Sequence, residues 1–161
     1  MEIEEIVSDV AALPGVVVHR PVPGDGSPEV AWGDVFVHHA PDGVPHGQPF
    51  ATVVTKAYPD EEDVGAFDRP GSFRLNVAVG RRVAAEIAQS AGDDPAEPDA
   101  WRLHPVYGAL GWVAVVDPGP RTAARARELL RTAHAAAAAR HERRHARVGE
   151  PDAGGGVGPG G

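Results

Sequence analysis

The stretch FRLNVAV, residues 73–79, decides the fold, because apolar and polar side chains alternate along it with the period of a β-strand. Its odd-numbered positions are all apolar and share one face, whereas Arg74 and Asn76 share the other. One apolar face and one polar face are typical of an antiparallel sheet that covers a core on one side only. We therefore expect Arg74 and Asn76 to lie on the open face of a sheet.

The segments around this strand show further strand and helix patterns. The apolar stripe of the last helix stops near Ala139, so its final turns should project into water. The order helix, three or four strands, helix, strand, helix predicts the α+β class, an antiparallel sheet with helices packed on one face. Short apolar or β-branched runs predict the other strands over 16–19, 30–39, 50–58 and 112–116, and helical spacing predicts helices over 2–13, over 81–91 and from Arg121 onward.

The length of 161 residues is that of one ordinary domain, which we expect over residues 1–147. The remainder, residues 148–161, is dominated by glycine and proline. Such a segment has too little apolar surface to repay the entropy of ordering. We therefore predict a disordered tail over 148–161.

Composition excludes several classes of protein. The chain has no cysteine, which excludes disulfides, thiolate zinc sites, iron–sulfur clusters and cysteine nucleophiles. The acidic start Met1–Glu5 is unlike a signal or transit peptide, and the apolar runs are too short to span a bilayer. We therefore expect a cytoplasmic protein without a membrane partner. Heavy use of arginine, alanine, glycine and proline is typical of a GC-rich bacterial genome.

Charge is distributed unevenly. The net charge of −8 opposes binding to nucleic acid, because affinity for a polyanion comes from basic groups. Residues 121–147, however, carry eight arginines against two glutamates. That surplus fits a basic helix packed on an acidic body, and it leaves a DNA-binding regulator as an alternative function.

Residues 141–145 match the zinc-hydrolase pattern H-E-x-x-H on a predicted helix. There His141 and His145 would share one face and could hold zinc while Glu142 activates water. A catalytic zinc needs a third protein ligand, and only the glycine-rich tail follows; two arginines also lie inside the motif. We rank a zinc-dependent hydrolase as the least favoured alternative, and a solvated helix end as the preferred interpretation.

Two other groups are weak metal candidates. His38, His39 and His46 flank a turn together with Asp42, and the acidic run over 60–63 could hold Mg²⁺. Solvated loop histidines and an acidic helix start explain both patterns without a metal. We assign no catalytic residue, no metal ligand and no cofactor, and the sequence favours a binding domain over an enzyme.

The main candidate site lies on the polar side of the strand over 73–79. The neighbouring strand brings a lysine, and the segment before residue 112 brings a histidine and a tyrosine. Together they predict a concave, cationic surface that binds a small anionic ligand or a protein partner. The alternative is an ordinary solvated sheet face. The predicted ligand-binding residues are Lys56, Arg74, Asn76, His104, Tyr107 and Trp112.

As a set, the segments PFATVVTK (49–56), DRPGSFRLNV (68–77), HPVY (104–107) and GWV (111–113) resemble a family of uncharacterised proteins from high-GC bacteria, a domain of unknown function. More distantly, the layout resembles the MmcQ/YjbR-like superfamily, in which a lysine-bearing strand precedes a tryptophan-bearing strand and a final helix. Lys56 and Trp112 match those two residues. The superfamily resembles a double-wing fold, which implies DNA binding as an alternative function.

Overall fold

The structure is a computed structural model that describes residues 1–149. In chain order its elements are helix α1 (Ile3–Ala11), strands β1 (Val16–His19), β2 (Val35–His39), β3 (Ala51–Val54) and β4 (Arg74–Ala78), helix α2 (Arg81–Gln89), strands β5 (Trp101–Leu103) and β6 (Trp112–Val116), and helix α3 (Ala123–Gly149). Two short 3₁₀ helices, Glu29–Ala31 and Gly108–Leu110, lie in the connections.

The strands form one open antiparallel sheet in the order β1-β2-β3-β4-β6-β5. The decisive stretch is β4, near the middle of the sheet, where Leu75 pairs with Val53 of β3 and with Val115 of β6. The predicted α+β class and the antiparallel sheet are therefore confirmed.

One face of the sheet carries the hydrophobic core. Leu75 and Val77 of β4 are fully buried there. Residues from all three helices belong to the same core, including Ile6, Ile87 and Leu129. Burial of each such aliphatic side chain stabilises the fold by about 1.5–3 kcal/mol. The three α-helices therefore cover one face of the sheet, and none of them covers the opposite face.

Two predicted strands are shorter than expected. The segment over 30–39 begins with a 3₁₀ turn and becomes extended only at Val35. The segment over 50–58 ends at Val54, because the backbone N–H of Thr55 donates to Asp34 Oδ1 at 2.9 Å instead of to a strand. Strand β5 was not predicted. At three residues it is too short to show an alternating pattern.

The last helix is longer than its apolar stripe. Residues 142–148 are exposed, as expected for turns that project beyond the core. Val148 and Gly149, which were predicted to lie in the tail, belong to α3, and Val148 is 87% exposed. The rest of the predicted tail, residues 150–161, lies outside the described residues. No described helix combines the length and the apolar character needed to cross a membrane.

Asp99 anchors the start of α3. Its carboxylate accepts hydrogen bonds from the backbone N–H groups of Gly119, Arg121 and Thr122, at 2.8–3.0 Å, and from the Thr122 hydroxyl at 2.6 Å. Burial alone would raise the pKa of Asp99, but these hydrogen bonds hold it below the usual value. A distant aspartate thus fixes the turn that leads into α3.

Candidate functional site

The open face of the sheet holds a cavity of about 370 Å³, which we call the sheet-face cavity. This volume lies within the range of small-molecule sites. Its floor is formed by alternate residues of three strands, because the side chains of Thr52, Arg74, Asn76 and Trp112 point away from the helices. Its walls include Phe36, Tyr58, Glu61, His104 and Tyr107.

Five of the six predicted ligand-binding residues line this cavity, and Lys56 does not. The Lys56 ammonium instead lies 2.8 Å from the carbonyl oxygen of Trp32 and 3.3 Å from Asp34 Oδ1. The chain has already left β3 at this point, so the strand alternation no longer directs the lysine toward the cavity. Lys56 therefore does not line this cavity, and its role in ligand binding stays a prediction.

Arg74 is buried in the sheet-face cavity rather than solvated. It is 5% exposed, and its Nε donates to Asn76 Oδ1 at 2.9 Å. Its Nη2 donates to Glu61 Oε1 at 2.8 Å, and the ring of Phe67 lies 5.6 Å from the guanidinium carbon. Glu61 comes from the loop over 57–72, which crosses the open face. The expectation of a cationic surface at Arg74 is thus corrected, because the Glu61 carboxylate neutralises the charge of this arginine.

The Arg74–Glu61 pair leaves polar groups without partners. The side chain of Glu61 is 6% exposed, and within residues 1–149 its Oε2 accepts no hydrogen bond. Arg74 Nη1 also donates to no described residue, but it is not fully buried, whereas Asn76 Nδ2 donates to Thr52 Oγ1 at 3.0 Å. A buried acceptor such as Glu61 Oε2 is costly unless something pairs with it.

His104 contributes a neutral donor to the cavity. Its Nδ1 accepts the backbone N–H groups of Val106 and Tyr107 at 3.1 and 3.0 Å, so the proton of the neutral ring lies on Nε2. Burial, and then the charge of Arg74, lower the pKa of His104 to about 3. The Nε2 atom lies 3.8 Å from Glu61 Oε1, which is beyond hydrogen-bond distance, and 3.5 Å from Arg74 Nη2, another donor.

This depressed pKa makes the stability of the protein sensitive to acid. Below about pH 6.5 the unfolded chain protonates His104 and the folded chain does not, so stability falls with pH down to the folded value near 3. The slope from this group is at most about 1.4 kcal/mol per pH unit. We expect His104→Asn to flatten the loss between about pH 6.5 and pH 4, measured by urea unfolding.

The matched control is His46→Gln, because the His46 side chain is 70% exposed. That variant should follow the wild-type pH profile. Parallel profiles for wild type and His104→Asn would contradict a neutral, buried His104.

Asp34 supports one wall of the cavity from inside the fold. Its side chain is fully buried and accepts the backbone N–H and hydroxyl of Thr55 at 2.9 and 3.0 Å, the ammonium of Lys56, and the hydroxyl of Tyr58. Burial, and then the Asp34 carboxylate, raise the pKa of Tyr58, which keeps its hydroxyl protonated as a donor. Sequence reasoning missed Asp34, although an aspartate inside a predicted strand was a usable signal.

Trp112 is positioned by the glycine before it. Gly111 has a φ of +93°, and its carbonyl accepts the N–H groups of Val79 and Gly80, both at 3.0 Å. A Cβ atom at residue 111 would lie 2.6 Å from the carbonyl carbon of Gly80. Only glycine fits this close approach, which sets where β6 begins and therefore where Trp112 enters the cavity floor.

A second cavity, of about 490 Å³, lies on the other side of the Arg74–Glu61 pair and is lined by both residues. Its walls are apolar around Phe67 and acidic where the run over 60–63 passes. Arg102 also lines it and is 9% exposed, and its Nε has no hydrogen-bond partner within residues 1–149. The acidic run over 60–63 therefore contributes Glu61 to an ion pair with Arg74 of the sheet.

The other predicted metal candidates are dispersed. His141 and His145 are adjacent, with ring centroids 4.1 Å apart, but within residues 1–149 no three His, Asp or Glu side chains are arranged to hold a metal ion. His39 faces His134 and His141, each at 5.3 Å between ring centroids. His46 pairs with Asp42 at 3.4 Å on the surface.

Comparison with known proteins identifies a family model that covers most of the chain. A family model described as a family of unknown function (DUF6194) matches residues 1–146. No curated protein and no solved structure matches the chain.

Proposed function

We propose that this chain, which belongs to the DUF6194 family of unknown function, is a binding domain that holds a small organic ligand in the sheet-face cavity. The observation that carries the proposal is the buried Arg74–Glu61 pair in the cavity wall, with Glu61 Oε2 unpartnered among the described residues. A buried ion pair contributes little net stability, because desolvation offsets the attraction. Its place in a concave site therefore supports ligand recognition.

The polar groups of the cavity define the ligand chemistry. Arg74 Nη1 and His104 Nε2 are donors without an acceptor among the described residues, so they suit a neutral acceptor such as a carbonyl group. The rings of Phe36, Tyr107 and Trp112 line the same cavity and suit a planar group. Because Glu61 neutralises Arg74, the cavity favours hydrogen-bonding geometry over net negative charge.

A thermal-shift screen with neutral planar carbonyl compounds tests this function. We expect at least one compound to raise the melting temperature, and Trp112→Leu to weaken its binding about tenfold, as measured by calorimetry. Arg82→Gln is the matched control. The Arg82 side chain is 84% exposed on α2, and the helices lie on the side of the sheet opposite the sheet-face cavity. A screen without hits, or hits that bind equally well to Trp112→Leu, would contradict the proposal.

DNA binding is the second candidate, supported by the arginines in the projecting turns of α3. Arg140, Arg143 and Arg144 make no ion pair among the described residues and lie on exposed turns. The distant resemblance to the MmcQ/YjbR-like superfamily supports the same proposal. The net charge of −8 opposes it, so it requires steeply salt-dependent binding to duplex DNA. No binding at low salt would remove it.

A further inference from the structure

A separate cavity of about 510 Å³, which we call the helix-end cavity, lies where the end of α3 passes the 46–49 segment. Its polar lining comes from three parts of the chain. It consists of Arg140 and Arg144 of α3, His39 of β2, and His46 and Gln48 of the connection to β3, with Trp112 on one side. A Cβ atom at Gly47 would lie 4.0 Å from Arg144 Nη1, so helix and connection approach closely.

The helix-end cavity carries positive charge that no described carboxylate neutralises. Near the start of α3, Arg121, Arg125 and Arg127 each pair with a carboxylate, at 3.6, 3.0 and 2.9 Å. Arg140 and Arg144 have no such partner within residues 1–149, and no acidic residue lines the cavity. They are four residues apart, so both point to the same side of the helix.

Two acidic side chains lie close to the cavity lining. Asp42 pairs with His46 at 3.4 Å, and Glu142 is near enough to His39 to act on its charge. Burial, then His134 and His141, nevertheless hold the pKa of His39 below the usual value. His39 is therefore neutral at physiological pH, and the two arginines supply the charge of the cavity.

We propose that the helix-end cavity binds a phosphate group. Two guanidinium groups on one side of a helix can each donate two hydrogen bonds to an oxyanion, and arginine suits phosphate better than lysine does. The imidazole of His46 and the amide of Gln48 add hydrogen-bonding groups from the opposite wall. In a chain of net charge −8, an unpaired basic cavity is the part most able to attract an anion.

The position of this cavity extends the proposed function. It shares Gly47, Gln48, Pro49 and Trp112 with the sheet-face cavity, so the two adjoin. A ligand with a planar group in the sheet-face cavity would place its phosphate beside Arg140 and Arg144. This step rests on the proposed function, whereas phosphate binding at the two arginines does not.

Titration of inorganic phosphate and pyrophosphate into the full chain, followed by NMR and calorimetry, tests the site. We expect saturable pyrophosphate binding that the Arg140→Gln/Arg144→Gln double variant weakens about tenfold or more. The matched control is Arg143→Gln/Arg147→Gln, which removes the same charge from the same helix but from residues that do not line the cavity. The control should weaken binding no more than about twofold.

Three results would overturn the proposal. The first is no saturable binding below about 10 mM pyrophosphate, and the second is equal weakening of binding in the two double variants. The third is that duplex DNA displaces pyrophosphate equally well from the two double variants. Failure of the proposed function looks different. Pyrophosphate would still bind through Arg140 and Arg144, while Trp112→Leu would change no organic ligand's affinity.

Discussion

Replacing Asp34 with alanine lowers the free energy of unfolding by about 3–5 kcal/mol in our expectation, because it removes the acceptor from a buried charged cluster. The Asp34 side chain is 0% exposed and accepts four hydrogen bonds from Thr55, Lys56 and Tyr58. Without it the Thr55 N–H and the Tyr58 hydroxyl lose their partner inside the protein, and each unsatisfied group costs about 1–3 kcal/mol. Urea unfolding at pH 7 measures the change.

Two comparisons separate this effect from a general loss of an aspartate. Asp25→Ala removes a carboxylate that caps an exposed turn, through the N–H groups of Val22 and Ser27, and should cost about 1 kcal/mol or less. Tyr58→Phe removes only one of the Asp34 contacts and should cost about 1 kcal/mol. An Asp34→Ala loss no larger than that of Asp25→Ala would show that the cluster adds nothing.

Arg74→Met is the second large effect, again about 3–5 kcal/mol, because it leaves the carboxylate of Glu61 buried without its counter-charge. Both side chains are 6% exposed. Removing both charges together avoids that penalty, so the Glu61→Gln/Arg74→Met double variant should recover most of the loss. The double-mutant cycle is measured by urea unfolding.

Arg69→Met is the control for this cycle. Arg69 also pairs with a carboxylate, Asp117, at 2.9 Å, but its side chain is 49% exposed, so the loss should stay below about 1 kcal/mol. Additive losses from Glu61→Gln and Arg74→Met would refute a buried, coupled pair. Because Arg74→Met weakens the fold, Trp112→Leu is the better variant for testing ligand binding.

Local periodicity was sufficient to predict the class of fold. The alternation over 73–79 identified β4 and both of its faces, because a strand sends successive side chains to opposite sides whatever lies elsewhere in the chain. The same reasoning failed for β5, where three residues span little more than one period. It also extended β3 too far, because the end of that strand depends on Asp34, some twenty residues earlier.

The candidate site divides in the same way. Alternation on β4 was enough to predict that Arg74 and Asn76 share a face, and five of the six predicted residues line one cavity. Alternation held no information on which charges meet. Glu61 reaches Arg74 from a loop, and Asp34 forms an ion pair with Lys56. Arg140 and Arg144 remain unpaired among the described residues. Charges pair through space between segments distant in the chain, so only the packing of the loop over 57–72 and of α3 decides where positive charge remains.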